Sequence, residues 1–409
     1  MARVVVVGAS MGGLRAAEAV RKAGFAGEIV VLGDEPHPPY NRPPLSKASP
    51  GGAPDVSRLG FRMPKAAQEI QWRLGTAVAS ADLTARTVTL ADGAVLAWDG
   101  LVAATGLAPR RLALPGPTHG RCVLRTVDDA VELYASLTPG TRLVVIGAGF
   151  IGCEIAATAR SLGVEVDVVA PESVPMERPL GAELGAAMRR RHEAAGVRFH
   201  LGTVPAEFLG QATVEAVVLA DGTRLAADIV IEAVGCVPNV AWLAGNGLDL
   251  SDGLECDGRL RVQGRPDVVA CGDLARFPNA LFDDVPRRVE HWTMVTDTAR
   301  RAGASLGRSL TGEDDGPAFA PVPTFWSDQY GERLQSFGAV DIGAGDVRVL
   351  EGNPDGEVAV GYHRDGELVG VVLLGMGGRY GHYRSQFADR ARAVPSTTIG
   401  RTQTNGDLR

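Results

Sequence analysis

Two glycine-rich turns carry the first chemical information in this chain: Gly8-Ala9-Ser10-Met11-Gly12-Gly13 and Gly147-Ala148-Gly149-Phe150-Ile151-Gly152. Each follows a short apolar run, Val4 to Val7 and Leu143 to Ile146, and opens onto residues suited to a helix. A glycine turn at a strand-to-helix junction brings backbone N–H groups and the positive end of a helix up to a pyrophosphate. One such unit binds one dinucleotide, so two units predict a relay of electrons between two dinucleotides. The second turn has the full set Gly147, Gly149 and Gly152, whereas the first has Ser10 in place of its middle glycine.

The residues beyond each turn speak to which dinucleotide is held. An acid roughly 20 or more positions past the glycines can accept hydrogen bonds from a ribose hydroxyl. In the first unit Asp34 or Glu35 stands there, after the strand expected over Glu28 to Leu32. In the second unit the strand expected over Val164 to Val169 ends at Ala170-Pro171-Glu172, without an acid at its tip, and the next arginine is Arg178. No arginine is close enough to meet a 2′-phosphate, which favours NADH over NADPH.

Composition bounds the setting of these units. The chain has 409 residues, 45% of them hydrophobic, enough for two or three domains with their own cores. A net charge of −7 argues against general nucleic-acid binding, which needs a basic surface. No apolar stretch approaches the roughly 20 residues of a membrane span, and MARVVVVGAS runs straight into a strand, so a cytoplasmic protein without membrane contact is expected. Five scattered cysteines, Cys122, Cys153, Cys236, Cys256 and Cys271, form no CxxC or CxxxxC, so buried reduced thiols and no metal site are expected.

The elements that must position the turns follow from pattern. Helices are expected over Leu14 to Lys22 and Cys153 to Leu162, each closing a βαβ unit. Strands are expected at Val197 to His200, Val214 to Leu219 and Ile229 to Ala233, with Asp221-Gly222 as a hairpin turn. A buried strand over Asp267 to Asp273 and a helix over Met294 to Leu310 come next, then a Gly, Asp and Pro-rich linker at Thr311 to Pro323. Val347 to Leu350, Val358 to His363 and Leu368 to Leu374 read as strands of a small α+β domain, closed by a helix over Tyr383 to Arg392. Pro395 to Arg409 has almost no apolar content and reads as a disordered tail.

Further strings make a resemblance specific. They are Tyr40-Asn41-Arg42-Pro43-Pro44-Leu45-Ser46-Lys47, Ala104-Thr105-Gly106, Leu124-Arg125-Thr126, Glu154 after the second turn, Gly235 through Asn239, Gly272-Asp273, Glu290-His291-Trp292 and Phe325 through Tyr330. In this order, and over nearly the whole chain, they resemble the FAD-dependent, NADH-linked ferredoxin reductases. The fold that this implies is α/β: two Rossmann-like dinucleotide-binding domains of the glutathione-reductase type and a small α+β C-terminal domain. The expected divisions are 1–109 with 234–312 for FAD, 110–233 for NAD(P)H and 318–394 for the C-terminal domain.

The resemblance also assigns roles. Gly8, Ser10, Gly12, Gly13, Asp34 or Glu35, Arg42, Val78, Thr105, Gly106, Arg125, Gly235, Gly272 and Asp273 would hold FAD, with Asp273 on the ribityl chain and Val78 beside the adenine through its backbone. Gly147, Gly149 and Gly152 would hold the nicotinamide dinucleotide. Glu290, His291, Trp292 and Trp326 would lie by the flavin ring, where aromatic walls exclude water. Lys47, Glu154 and Trp292 are the residues expected to act in the reaction: a cation near the flavin stabilises its reduced form, and Glu154 would hold that cation. Glu154 also suits the first turn of a helix on electrostatic grounds alone. Departures from the family pattern are Ser10, Asn41, Cys153, Ala170 and the glycine-rich run Gly375 to His382.

The implied function is transfer of electrons from NAD(P)H through FAD to an acidic 2Fe-2S ferredoxin that feeds a monooxygenase or dioxygenase, by a monomer or weak homodimer. Arg42, Arg287, Arg288, Arg300 and Arg301 would form a basic patch for that partner. The cysteine pair of the disulfide reductases is missing, so electrons would leave FAD directly. Two other readings stay open: a reductase of a small organic acceptor such as a quinone or monodehydroascorbate, and an apoptosis-inducing-factor-like protein switched by its redox state.

Overall fold

The valine run Arg3–Val7 lies at the centre of a five-stranded parallel sheet, in the order Val268–Ala270, Gly100–Ala103, Arg3–Val7, Glu28–Leu32, Gln71–Arg73. Its continuous apolar sequence, with Val4, Val5 and Val6 fully buried, is what a strand covered on both faces requires. Register aligns Val7 with Leu32 on one side and with Ala103 on the other, and Ala103 with Ala270. The carboxyl ends of four strands therefore finish level, and Gly8, Gly33, Ala104 and Cys271 begin the loops on one edge. That edge is where open α/β sheets bind ligands. The computed structural model describes residues 1–47, 55–63 and 69–393. The expected disordered tail at 395–409 lies outside these.

A second parallel sheet repeats the plan, in the order Arg198–Leu201, Glu165–Ala170, Arg142–Ile146, Ile229–Glu232, Arg121–Cys122. The helices after the two glycine turns run Met11–Lys22 and Phe150–Ser161, each starting three residues before the position read from the sequence. An antiparallel pair, Leu107–Pro109 with Cys236–Pro238, carries the chain across between the two units. The expected strand over Asp267 to Asp273 is shorter: only Val268–Ala270 pairs in the sheet, and Gly272–Leu274 forms a 3-10 turn that lifts Asp273 off the sheet edge. Helix Trp292–Thr311 packs across Met11–Lys22, starting two residues earlier than expected.

Residues from Thr324 to Leu374 build a five-stranded antiparallel sheet, in the order Thr324–Gln329, Glu332–Gly338, Glu367–Leu374, Val358–Arg364, Val347–Gly352. Its period-two pattern separates the two faces. Val358, Val360 and Tyr362 pack with Leu180, Leu184 and Met188 of helix Glu177–Ala194, while Ala359 faces Tyr383 and Phe387 of helix Tyr380–Ala393. The expected linker is anchored as well as irregular, because Asp315 faces Arg259, Arg261 and Arg301. Of the cysteines, Cys153, Cys256 and Cys271 are buried but Cys122 and Cys236 are only half-buried, contrary to expectation, and all five are free thiols. Among the described residues no helix is long and apolar enough to cross a membrane.

Candidate active site

The two glycine turns are built under the same steric constraints. Gly8 and Gly147 have φ of +114° and +107°, and a Cβ on either would lie 2.2 Å from Ala104 O or 2.3 Å from Ala233 O. A Cβ at Gly13 or Gly152 would collide with the carbonyl of that same first glycine, at 1.8 and 2.1 Å. Glycine is thus dictated at the first and last positions of both turns. The middle position differs. Gly149 has open space around it, and Ser10 takes its place in the first turn as the helix N-cap, with its Oγ 3.5 Å from Arg42 Nε. A Cβ at Gly12 would meet Val295 at an ordinary 3.4 Å, so no clash dictates glycine there.

From the first turn a cleft runs along the carboxyl edge in three connected lobes. The outermost, about 370 Å³, is bounded by Gly8, Asp34, Glu35, Val78, Thr105 and Trp242. The middle one, about 320 Å³, adds Gly12, Gly106, Arg125, Gly272, Asp273 and Trp292. The innermost, about 230 Å³, brings Lys47, Glu154, Glu290, His291, Trp292 and Trp326 together. Ser10 and Arg42 line both outer lobes, and Arg42, Arg125, Asp273 and Trp292 line both inner ones. Gly235 lies outside all three; it has φ +89° and accepts from Arg110 N at 2.9 Å where the chain crosses between units.

Charges in the cleft are mostly paired. Arg42 is ion-paired to Glu35 and donates to Arg125 O at 2.6 Å, while Tyr40 OH donates to Glu35 Oε2 at 2.6 Å. Glu35 is thereby engaged, and Asp34 is the exposed acid at the rim. Thr105 Oγ1 donates to Asn239 O at 2.5 Å, fixing the loop at the junction of the outer lobes. Glu290 accepts from Arg288 at 2.6 Å. In the innermost lobe Lys47 Nζ donates to Glu154 Oε2 at 2.8 Å, and Ser46 Oγ donates to the same oxygen.

Among the described residues, two buried side-chain atoms in the cleft lack partners. Asp273 Oδ1 is buried without a hydrogen bond, and burial, against the pull of Arg125, pushes its carboxyl up to about 6. An acceptor left this way suits a ligand hydroxyl in the middle lobe. His291 Nδ1 is likewise buried and unpartnered, and burial lowers the imidazole to about 4, so the ring is neutral at pH 7 and packs 4.8 Å from Phe325. A long cleft with a glycine cradle at one end and an unsatisfied acceptor midway fits a flavin dinucleotide.

Comparison with known proteins agrees with this geometry. Residues 2–303 match the pyridine nucleotide-disulphide oxidoreductase family, and residues 324–404 match the reductase C-terminal family. The ferredoxin reductase component of chlorobenzene dioxygenase from Cupriavidus sp. (strain PS12) is 37% identical over 384 residues, 91% of this chain and 88% of that protein. The chain belongs to the ferredoxin-reductase branch of this family. Putidaredoxin reductase from Pseudomonas putida is 35% identical over 82% of this chain and 80% of its own length. The crystal structure of the covalent putidaredoxin reductase–putidaredoxin complex superimposes with a TM-score of 0.85 at 31% identity, over 95% of this chain and 93% of that one. A ferredoxin reductase from Rhodopseudomonas palustris superimposes at 0.87, with 33% identity over 97% of this chain and 98% of that one.

Within this reductase fold, several site neighbours were not singled out from sequence. Ser46 and Ser327 both donate to Glu154, Phe150 lines the innermost lobe, and Trp242 closes the outermost. All but Trp242 sit inside strings already quoted, so the signal was present without a role. Four residues of the expected basic patch have acidic neighbours: Arg287 pairs with Asp283, Arg288 with Asp252 and Glu290, Arg42 with Glu35, and Arg301 faces Asp315.

Proposed function

We propose that this chain is an NADH-dependent flavoprotein reductase that passes electrons to a 2Fe-2S ferredoxin serving an oxygenase. The carrying observation is the innermost lobe, where Lys47 from the first nucleotide unit, Glu154 from the second and Trp326 from the C-terminal sheet converge. These residues would hold FAD, which would supply the exchange between two-electron chemistry with NADH and one-electron chemistry with the ferredoxin. Backbone N–H groups at Ser10 to Gly13 and the N-terminus of helix Met11–Lys22 would hold the pyrophosphate, and the unpartnered Asp273 Oδ1 would accept from a hydroxyl of the ribityl chain. The Lys47 ammonium, fixed by Glu154, places positive charge where reduction adds negative charge. Trp292 and Trp326 wall the lobe against water.

None of the five cysteines lines the innermost lobe, and burial pushes the Cys271 thiol of the middle lobe up to about 12, so no thiolate waits there to take electrons. Direct transfer to an external partner is the route that remains. The test is stopped-flow reduction of the purified yellow protein by NADH, followed by ferredoxin-dependent cytochrome c reduction. A folded protein that cannot be loaded with FAD overturns the reading.

One observation favours a second reading, reduction of a small organic acceptor. A cavity of about 460 Å³ adjoins the innermost lobe, sharing Phe150, His291 and Phe325 with it and adding Phe277 and Phe282. Turnover with a quinone that exceeds turnover with every ferredoxin tested would select this reading.

A further inference from the structure

Glu154 is held from its far side by a chain of buried side chains that none of the cofactor lobes requires. Strand Thr324–Gln329 turns Ser327 and Gln329 inward on one face, 1% and 4% exposed. Ser327 Oγ donates to Glu154 Oε1 at 2.6 Å and accepts from Gln329 Nε2 at 3.0 Å. Gln329 Oε1 lies 2.7 Å from Nε2 of His192, a fully buried residue of helix Glu177–Ala194. His192 Nδ1 lies 2.8 Å from the hydroxyl of Tyr330, at the exposed turn after the strand.

Counting donors fixes the direction of every bond. The carboxylate can only accept, so the one Ser327 proton goes to it and Ser327 must accept from the Gln329 amide. That leaves Gln329 Oε1 facing His192, which must carry its proton on Nε2 and accept from Tyr330 at Nδ1. Burial lowers His192 to about 4, so the ring is neutral and has one tautomer open to it. All protons along Tyr330, His192, Gln329 and Ser327 then point toward Glu154, an alignment in which each bond polarises the next.

We propose that Ser327, Gln329 and His192 are positioning residues of the redox site, drawing the charge of Glu154 away from Lys47 and so setting how much of the ammonium's field reaches the innermost lobe. This rests on the flavin reading above. Without the Ser327 hydroxyl the carboxylate is held by Lys47 and Ser46 alone, the positive field weakens, and the bound flavin becomes harder to reduce.

The experiment is a double-mutant cycle read by the midpoint potential of the FAD-loaded protein, with thermal unfolding followed in parallel. S327A should disfavour the reduced form about tenfold, a shift of about −30 mV for a two-electron couple. S327T, which keeps the hydroxyl, should restore the wild-type potential, and Y330F should shift it in the same direction by less. In an E154Q background S327A should have no further effect, because the charge on which the chain acts is gone. An unchanged potential in S327A, or the same shift with E154Q present, overturns the proposal while leaving the flavin reading intact. Should S327A fail to fold, an unchanged potential in Y330F does the same, since Tyr330 lies at the exposed end. A folded chain that takes up no FAD overturns the flavin reading itself.

Discussion

Lys47 and Glu154 stand 107 residues apart in sequence, yet their side chains meet at 2.8 Å and tie the first nucleotide unit to the second. The carboxylate side chain is 9% exposed and the lysine 25%, so the carboxylate is largely shut off from water and the ammonium is only partly open to it. Removing one partner of a shielded pair costs more than removing both. Lys47→Met alone and Glu154→Gln alone should each lower stability by about 2 kcal/mol, with the double variant recovering at least half of that loss. Thermal unfolding of the four proteins measures it. Lys47→Met should also slow NADH-driven flavin reduction about 100-fold, because the charge that stabilises the reduced ring is lost.

Asp273 links cofactor affinity to pH. Burial raises its carboxyl to about 6, above the usual carboxylate range, so the folded chain holds that proton more tightly than the unfolded chain does. Raising the pH from about 4 through 6 should therefore reduce the stability of the flavin-free protein. A ribityl hydroxyl donating to Asp273 favours the anion, so FAD binding should tighten over the same rise and level off above about pH 6 to 7, with a proton released on binding below that point. Calorimetry in buffers of different ionisation enthalpy reads that proton directly. Asp273→Asn should abolish the pH dependence and weaken FAD binding about 10- to 100-fold.

Much of this architecture could be read from local signals. Valine runs ending in glycine turns specify parallel strands, a switch in direction and a helix, all within about 30 residues. Helix Glu177–Ala194 escaped the sequence reading because Pro179 and Gly181 interrupt its pattern and Arg189 to Arg191 look like a solvated run, although Leu180, Leu184, Met188 and His192 form a buried stripe. Strand Thr324–Gln329 was illegible for a different reason. Two of its inward positions, beside Phe325, are Ser327 and Gln329, so the usual alternation of apolar-in and polar-out is lost, and the cause, the buried carboxylate of Glu154, lies 173 residues from Ser327. No spacing rule carries that distance; the Lys47–Glu154 pairing itself was available only through the resemblance.

Nicotinamide selectivity follows from the tip of strand Glu165–Ala170. Ala170 is buried there, and Arg178 sits 3.7 Å from Glu172, the first acid beyond it. Arg189, Arg190 and Arg191, the other arginines that could meet a 2′-phosphate, pair with Glu193, Asp355 and Glu332. A 2′-phosphate would face the Glu172 carboxylate, and like charges at close range cost about 1 kcal/mol or more even when solvated. NADH should exceed NADPH by at least about tenfold in kcat/KM, and Glu172→Gln should raise NADPH turnover while leaving NADH within about twofold. A wild-type protein preferring NADPH would remove Ala170 and Glu172 from the argument.

The ferredoxin-docking face is expected away from Arg287 and Arg288, which pair with Asp283, Asp252 and Glu290. Helix Trp292–Thr311 offers a different surface: it begins at the innermost lobe and presents exposed Arg300 about 12 Å further along its axis. Among the described residues no carboxylate lies within ion-pair distance of Arg300 in the way that Asp315 does of Arg301. Arg300 and the exposed Arg384 both draw down the carboxyl of Asp297, which burial raises, so the two cations share one locality. An acidic partner would be steered there by a field that salt screens over about 10 Å. Ferredoxin-dependent cytochrome c reduction should fall as salt rises, and Arg300→Glu with Arg384→Glu should raise the KM for ferredoxin about tenfold at low salt and flatten that fall. Ferricyanide reduction should stay unchanged, because a small acceptor needs no docking face. Arg287→Glu with Arg288→Glu should instead lower the melting temperature, having broken internal pairs. If the Arg300 and Arg384 substitutions leave both the KM and its salt dependence as they were, the partner docks elsewhere.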